Sequence, residues 1–200
     1  MLASISPLGE RARSSRWGVT VTAYVLGSVL GGAALGLLPA ALGALLPSSW
    51  RGSPTAGILV AALLLAGLLL DSGVARLRLP TWRRQVDEAW LGRYRGWVYG
   101  AGFGVQLGLG VVTIVTSTTV YATVLLCALS GSPPVGMALG TLFGLLRALP
   151  VLGLAGIHDR AALHRLFHRL ERWAPRADRL ARATLATGAA ALVVSAVGRS

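Results

Sequence analysis

The chain has 200 residues, of which 54% are apolar and only 13% are charged. A soluble domain carries about 25% charged residues and a disordered chain is polar, so this composition excludes both classes. The net charge of +12 comes from 19 arginines, because the sequence contains no lysine. A single cysteine excludes a disulfide framework and any multi-cysteine metal site. The composition is typical of an all-α membrane protein that crosses the bilayer several times.

Five apolar stretches are long enough to cross a membrane, where about 20 residues are needed. They follow an arginine-rich arm (residues 1–16) and cover residues 17–46, 54–70, 97–129, 133–156 and 183–198. The stretches 17–46 and 97–129 are too long for one straight span, so we expect a break or a steep tilt in each. Pro39 is the natural break in the first. Residues 17–198 are therefore predicted to form a single domain of five transmembrane helices.

Two charged connections are predicted to form helices at the cytoplasmic membrane interface. One covers residues 81–95 and begins at Thr81; the other covers residues 160–174, is capped by Asp159 and ends before Pro175. Each has apolar residues on one face at helical spacing. A cytoplasmic surface for a protein partner is the alternative interpretation.

The arginines predict the orientation, because positive charge is retained on the cytoplasmic side. Sixteen of them lie in the arm and in the two charged connections, whereas Arg51 and Arg199 lie on the other side. We expect the N-terminus in the cytoplasm, the C-terminus outside, and an inner-membrane location. The arm does not have the pattern of a cleaved signal peptide. The basic segments are predicted to contact anionic lipid headgroups and not nucleic acid.

Part of the sequence is repeated, and glycines recur at helical spacing. Residues 32–40 (GAALGLLPA) resemble residues 140–148 (GTLFGLLRA). The two copies run in opposite directions in the predicted topology, which is the pattern of a partial inverted repeat. Glycines also recur every four residues in three spans, which permits close packing of helix backbones in lipid. These glycines are Gly27 and Gly31, Gly100, Gly104 and Gly108, and Gly136, Gly140 and Gly144.

The chain resembles the membrane domain of the cytochrome c biogenesis and thiol–disulfide interchange family (CcdA/DsbD type). The matching stretches are residues 24–46, 57–70, 83–86, 100–108 and 131–150. The resemblance implies six spans in two inverted triplets, of which the first span is missing here. It also implies redox cysteines in the first and fourth spans. Residues 104–110 correspond to the fourth span and contain no cysteine, and Cys127 stands alone.

Thiol–disulfide exchange requires an attacking thiolate and a partner sulfur, so the chemistry of that family does not carry over to this chain. We therefore expect neither an enzyme activity nor a cofactor. A lone cysteine in an apolar span usually serves packing.

Arg147 is the one arginine that the topology does not explain, because it lies inside a predicted span. An intramembrane charge is costly and by default indicates a functional site. It is predicted to bind an anionic solute together with the polar residues of the third span. These are Gln106, Thr113, Thr116 and Ser117. The alternatives are an ion pair with Asp71, and hydroxyls that bond back to their own helix.

His164, His168 and Glu171 have a spacing that permits metal ligation on one helical face. Exposed histidines at a charged interface are more often solvated, so no metal site is predicted here.

The sequence thus supports two functional hypotheses. The first is a multi-pass protein without redox cysteines that binds or transports a small, anionic solute around Arg147. The alternative is a membrane scaffold or assembly partner for envelope redox or cytochrome maturation proteins. A homo-oligomer or an envelope protein that supplies the missing span is compatible with either.

Overall fold

The computed structural model describes residues 7, 10, 16–72, 94–110, 118–155, 157 and 159–198. Within these ranges the chain forms α-helices joined by turns, without β-strands. The helices are α1 (Trp17–Ala44), α2 (Ser48–Arg51), α3 (Pro54–Asp71), α4 (Gly96–Gly108), α5 (Thr118–Ser130), α6 (Pro133–Leu152) and α7 (Arg160–Val197). The predicted all-α class is confirmed for this part of the chain.

Three of the described helices are long and apolar enough to cross a membrane. They are α1, α6 and the part of α7 from Ala161 to Val197. The apolar part of α3 (Pro54–Leu70) and α5 are shorter. Three candidate spans support a membrane protein, whereas the predicted number of five remains a prediction.

The predicted break at Pro39 is wrong, because α1 runs without interruption from Trp17 to Ala44. A proline inside a helix removes one backbone hydrogen bond, here the one to the carbonyl of Leu35. Tertiary contacts on both sides of the proline hold the helix together. Gly36 lies against α6, and Gly43 lies against the backbone of Ala128 in α5.

The predicted end of the interfacial helix before Pro175 is also wrong. Residues 160–174 and 183–198 were expected as two helices, but α7 is one helix of 38 residues with Pro175 inside it. Residues 171–180 are all exposed. The carbonyl of Glu171, which Pro175 deprives of its donor, therefore remains open to solvent. The predicted cap is confirmed, since the Asp159 carboxylate accepts a hydrogen bond from the Ala162 amide.

The expected break in the third stretch is confirmed. Helix α4 ends at Gly108, and Gly110 has a φ of 70°, a left-handed conformation that stops a helix. Helix α5 begins at Thr118, and residues 111–117 lie outside the described part. The predicted interfacial helix 81–95 also lies outside it, apart from residues 94 and 95, which are not helical.

Helix α1 is central and packs against α4 and α6 through glycines. Gly100 lies against Thr20, and Gly108 lies against Ser28, so α1 and α4 run parallel. Gly36 meets Gly136 and Gly32 meets Gly140, so α1 and α6 run antiparallel. The predicted role of the recurring glycines in close backbone packing is thus confirmed.

Helices α3 and α7 form a second pair, which α5 connects to the first group. A Cβ atom added to Gly57 of α3 would lie 3.6 Å from Cβ of Ala196 in α7, which is an ordinary van der Waals distance. Val60, Ala61 and Leu64 of α3 share a buried cluster with Leu185 and Ala189 of α7 and Ala122 of α5. Thr118 of α5 donates a hydrogen bond of 3.0 Å to the carbonyl of Gly67 in α3.

Arg51 ties two turns together at one end of the bundle. Its Nη1 donates a 3.2 Å hydrogen bond to the Ser130 carbonyl, and its Nε donates a 3.2 Å bond to the Leu46 carbonyl. The opposite end carries Arg16, Arg95 and the first turns of α7, and we call it the basic end. Among the described residues, Arg51 therefore lies at the end opposite Arg16 and Arg95, as the charge pattern predicts.

Candidate functional site

Three helix backbones meet at Ser28. An ideal Cβ at Gly108 of α4 or at Gly144 of α6 would overlap with the carbonyl oxygen of Ser28. The Ser28 hydroxyl is fully buried and donates a 2.7 Å hydrogen bond to the Gly144 carbonyl. Without apolar burial as a driving force, such close packing and interhelical hydrogen bonds hold helices together in lipid.

An aromatic cluster lies between Ser28 and the basic end. Tyr24 of α1, together with Tyr99 and Phe103 of α4, is less than 5% exposed, and the rings of Tyr99 and Phe103 are 6.0 Å apart. Val151 and Ile157, at and beyond the end of α6, complete this cluster. The three-helix group is therefore densely packed at its basic end.

A buried carboxylate adjoins this cluster. Glu10 is fully buried and accepts a 2.9 Å hydrogen bond from the Thr20 hydroxyl, while the Tyr99 hydroxyl donates to its other oxygen. A buried carboxylate is stable only with such donors. The buried role of Glu10 was not predicted from the sequence. The feature that could have indicated it is that Glu10 is the only acidic residue before Asp71, in an arm whose other charged residues are arginines.

Arg147 lies on α6, in the half of that helix nearer the basic end. It is half-buried, and its guanidinium carbon lies 5.3 Å from the ring centre of Phe143. Phe143 lies one turn earlier on the same helix, and the predicted role of Arg147 in solute binding stays a prediction. The Asp71 side chain, its alternative predicted partner, lies outside the described part.

Of the other predicted solute ligands, Gln106 alone lies within the described residues. Gln106 is half-buried and lies on α4 opposite the face formed by Gly100, Gly104 and Gly108. Thr113, Thr116 and Ser117 lie outside the described residues, so their role remains a prediction.

Two further features of the sequence have local structural roles. His168 Nδ1 lies 3.3 Å from Oε2 of Glu171 in an exposed pair one helical turn apart. Cys127 is buried where α5 meets α6, with its sulfur 3.9 Å from the Gly136 carbonyl oxygen.

The two copies of the repeated segment pack against each other. Gly32 of the first copy meets Gly140 and Gly144 of the second, and Gly36 meets Gly140 and, just before the second copy, Gly136. The two copies are antiparallel. Close packing accounts for their similarity, and the described contacts give no separate support for an inverted repeat.

Two cavities adjoin the start of α7. One of about 240 Å³ is lined by Gly153, Ile157, Ala162, Arg165, Leu166 and Arg169. The other, of about 590 Å³, is lined by Arg169, Arg172, Trp173 and Arg176. Both lie at the basic end, and Arg169 belongs to both.

Two curated proteins are similar to this chain, and both are named methylamine utilization protein MauF. The protein from Paracoccus versutus is 30% identical over 196 residues, which are 97% of this chain and 67% of the relative. The protein from Methylophilus methylotrophus is 28% identical over 157 residues, which are 75% of this chain and 53% of the relative. This chain thus spans between about half and two thirds of the length of these relatives.

No protein-family model matches the chain, and no solved structure does. Both curated relatives carry the name MauF and neither carries the name of the CcdA/DsbD type family. Membership of the CcdA/DsbD type family therefore stays a prediction. The identity with the Paracoccus protein extends over nearly all of this chain, including α1 to α7. The chain belongs to the MauF family of methylamine utilization proteins.

Proposed function

We propose that the chain is an inner-membrane assembly partner for the envelope redox proteins that a cell needs to use methylamine. The observation that supports this most is the match to MauF over 97% of the chain. Oxidation of the carbon–nitrogen bond of methylamine requires a redox enzyme, and such an enzyme is the client class that we infer. The chain itself acts without catalysis in this proposal.

The packing of the helices favours an assembly role over solute transport. At Gly32, Gly36, Gly140 and Gly144 the backbones of α1 and α6 are in direct contact. A solute cannot pass between them without separation of the two helices.

The lone buried cysteine fits the same proposal. Cys127 is enclosed between α5 and α6 and has no second cysteine in the sequence. Because thiol exchange needs two sulfurs, the electrons of the pathway are handled by the client. The five-span topology, with the C-terminus outside, is part of the proposal and brings the C-terminal end of α7 to the envelope side.

The proposal is tested by capture of the client. The affinity-tagged chain is isolated after mild cross-linking from membranes of a methylamine-grown organism that encodes it, and methylamine-oxidising activity is measured on the resin. We expect activity above that retained by an unrelated tagged membrane protein of similar abundance. Absence of such activity would contradict the assembly role.

A second arm tests transport. Purified chain in proteoliposomes is supplied with labelled methylamine and, separately, with labelled small anions. We expect uptake equal to that of empty liposomes. Uptake that depends on Arg147 would favour the solute-binding alternative.

A further inference from the structure

The arginine-rich part of α7 is held at both of its ends. Leu163 and Leu166 pack against the aromatic cluster at the basic end of the α1–α4–α6 group. Leu185, about five turns later, is buried against α3. Between these anchors residues 171–180 are all exposed. The intervening segment therefore links the basic end of the α1–α4–α6 group to α3, and the predicted orientation puts it on the cytoplasmic side of the apolar part of α7.

Four arginines occupy one face of this segment. At about 100° per residue, Arg165, Arg169, Arg172 and Arg176 fall within an arc of about 60°, and Trp173 adjoins them. They extend over about 16 Å at 1.5 Å per residue. The two acidic residues of the helix, Glu171 and Asp178, lie on the opposite side. There they pair with His168 and Arg182. The acidic residues of α7 therefore do not neutralise this face.

The face also has an apolar component. The two cavities that it lines include Ile157, Leu166 and Trp173 beside the guanidinium groups. Arg176 lies 4.8 Å from the ring centre of Trp173, which is 60% exposed. Tryptophan with one apolar and one wet side is typical of the headgroup region of a bilayer.

We infer that Arg165, Arg169, Arg172 and Arg176 form a binding site for the headgroup phosphates of anionic phospholipids in the cytoplasmic leaflet. The planar guanidinium group matches phosphate with two parallel hydrogen bonds, and the apolar lining accommodates the upper part of an acyl chain. A lipid fits these surroundings better than a soluble polyanion, because the lining combines guanidinium groups with Ile157, Leu166 and Trp173 and the apolar part of the same helix follows it. This site is independent of the proposed assembly role.

The experiment uses the full chain in mild detergent and measures binding of phosphatidylglycerol, with phosphatidylcholine as the neutral reference, by native mass spectrometry. The triple variant Arg169→Gln/Arg172→Gln/Arg176→Gln should bind phosphatidylglycerol about 100-fold more weakly, since one arginine near a membrane surface contributes about a fivefold effect. Binding of phosphatidylcholine should not change. The matched control Arg16→Gln/Arg51→Gln/Arg95→Gln loses the same charge from residues outside α7 and should retain most of its phosphatidylglycerol binding.

An equal loss in the control would show diffuse attraction to net charge and would overturn the site. Displacement of the lipid by inorganic pyrophosphate or by a single-stranded oligonucleotide at equal phosphate concentration would assign the face to a soluble polyanion instead. The variant Arg169→Lys/Arg172→Lys/Arg176→Lys keeps the charge without the planar fork. It should bind phosphatidylglycerol with intermediate affinity, and it separates loss of the site from misfolding. Unchanged affinity in both triple variants at this face would also overturn the inference.

Discussion

The hydroxyl of Ser28 in α1 donates a 2.7 Å hydrogen bond to the carbonyl of Gly144 in α6. The bond forms because Gly144 has no side chain, so the two backbones meet. Gly108 of α4 approaches the same Ser28 carbonyl from another side. This point joins the three helices that form the larger part of the bundle.

The first prediction concerns this junction. Gly144→Ala places a Cβ on the carbonyl oxygen of Ser28, and backbone atoms cannot move aside as a flexible side chain would. Overpacking of this kind costs about 1–3 kcal/mol, so we expect a lower unfolding temperature in detergent. The matched control is Gly188→Ala in α7, where nothing lies within 4 Å. It should be neutral or slightly stabilising, because alanine favours a helix. Equal effects of the two variants would disprove close packing at Gly144.

The second prediction concerns Glu10. Tyr99→Phe removes a hydrogen bond to the buried carboxylate of Glu10. It should destabilise the protein by about 1–3 kcal/mol, the cost of an unsatisfied buried group. Tyr94→Phe is the control, since Tyr94 is 47% exposed. Thermal unfolding checks both. In a double-mutant cycle, Tyr99→Phe combined with Glu10→Gln should cost less than the sum of the two single variants. Full additivity would argue against the contact.

The third prediction concerns Arg147. We expect Arg147→Gln to support methylamine-dependent growth at the same rate as the parent when the two proteins accumulate equally, because the proposed assembly role assigns no solute to this arginine, whose guanidinium lies over Phe143 of its own helix. Growth rates and immunoblots of membranes provide the measurement. A severe growth defect at equal abundance would restore the solute-site hypothesis.

The fourth prediction concerns topology. Single cysteines are introduced at Ser49 and Ser132 in a Cys127→Ser background. Both positions lie at the end of the bundle where Arg51 bonds to the Ser130 carbonyl, and the arginine pattern predicts that this end faces outside. Both cysteines should therefore react with a membrane-impermeant maleimide in intact cells. A cysteine at Ala177, in the exposed part of α7, should react only after permeabilisation. Labelling of the Ala177→Cys variant in intact cells would contradict the orientation that the arginines predict.

The close helix packing and the cap at Asp159 were predictable from the sequence, whereas the continuity of helices across prolines and the buried polar groups were not. Glycines spaced by four residues indicate backbone contact whichever partner they meet, and α1, α4 and α6 use them in that way. The effect of Pro39 and Pro175 was mispredicted because the lost hydrogen bond and the clash of the proline ring with the preceding turn are local costs, which tertiary contacts or solvent can offset. The contact of Glu10 with Tyr99 joins residues 89 positions apart, and no local pattern encodes such a pairing.

The central claim, an assembly role in methylamine use, is tested most directly by methylamine oxidation in disrupted cells. A strain that lacks this gene is compared with its complemented parent, with an artificial electron acceptor supplied to the extract. Disruption removes any need for transport across the membrane. We predict that the oxidising activity stays low in the deletion extract and returns only when the chain was present during growth. Full activity in the deletion extract would contradict the assembly role.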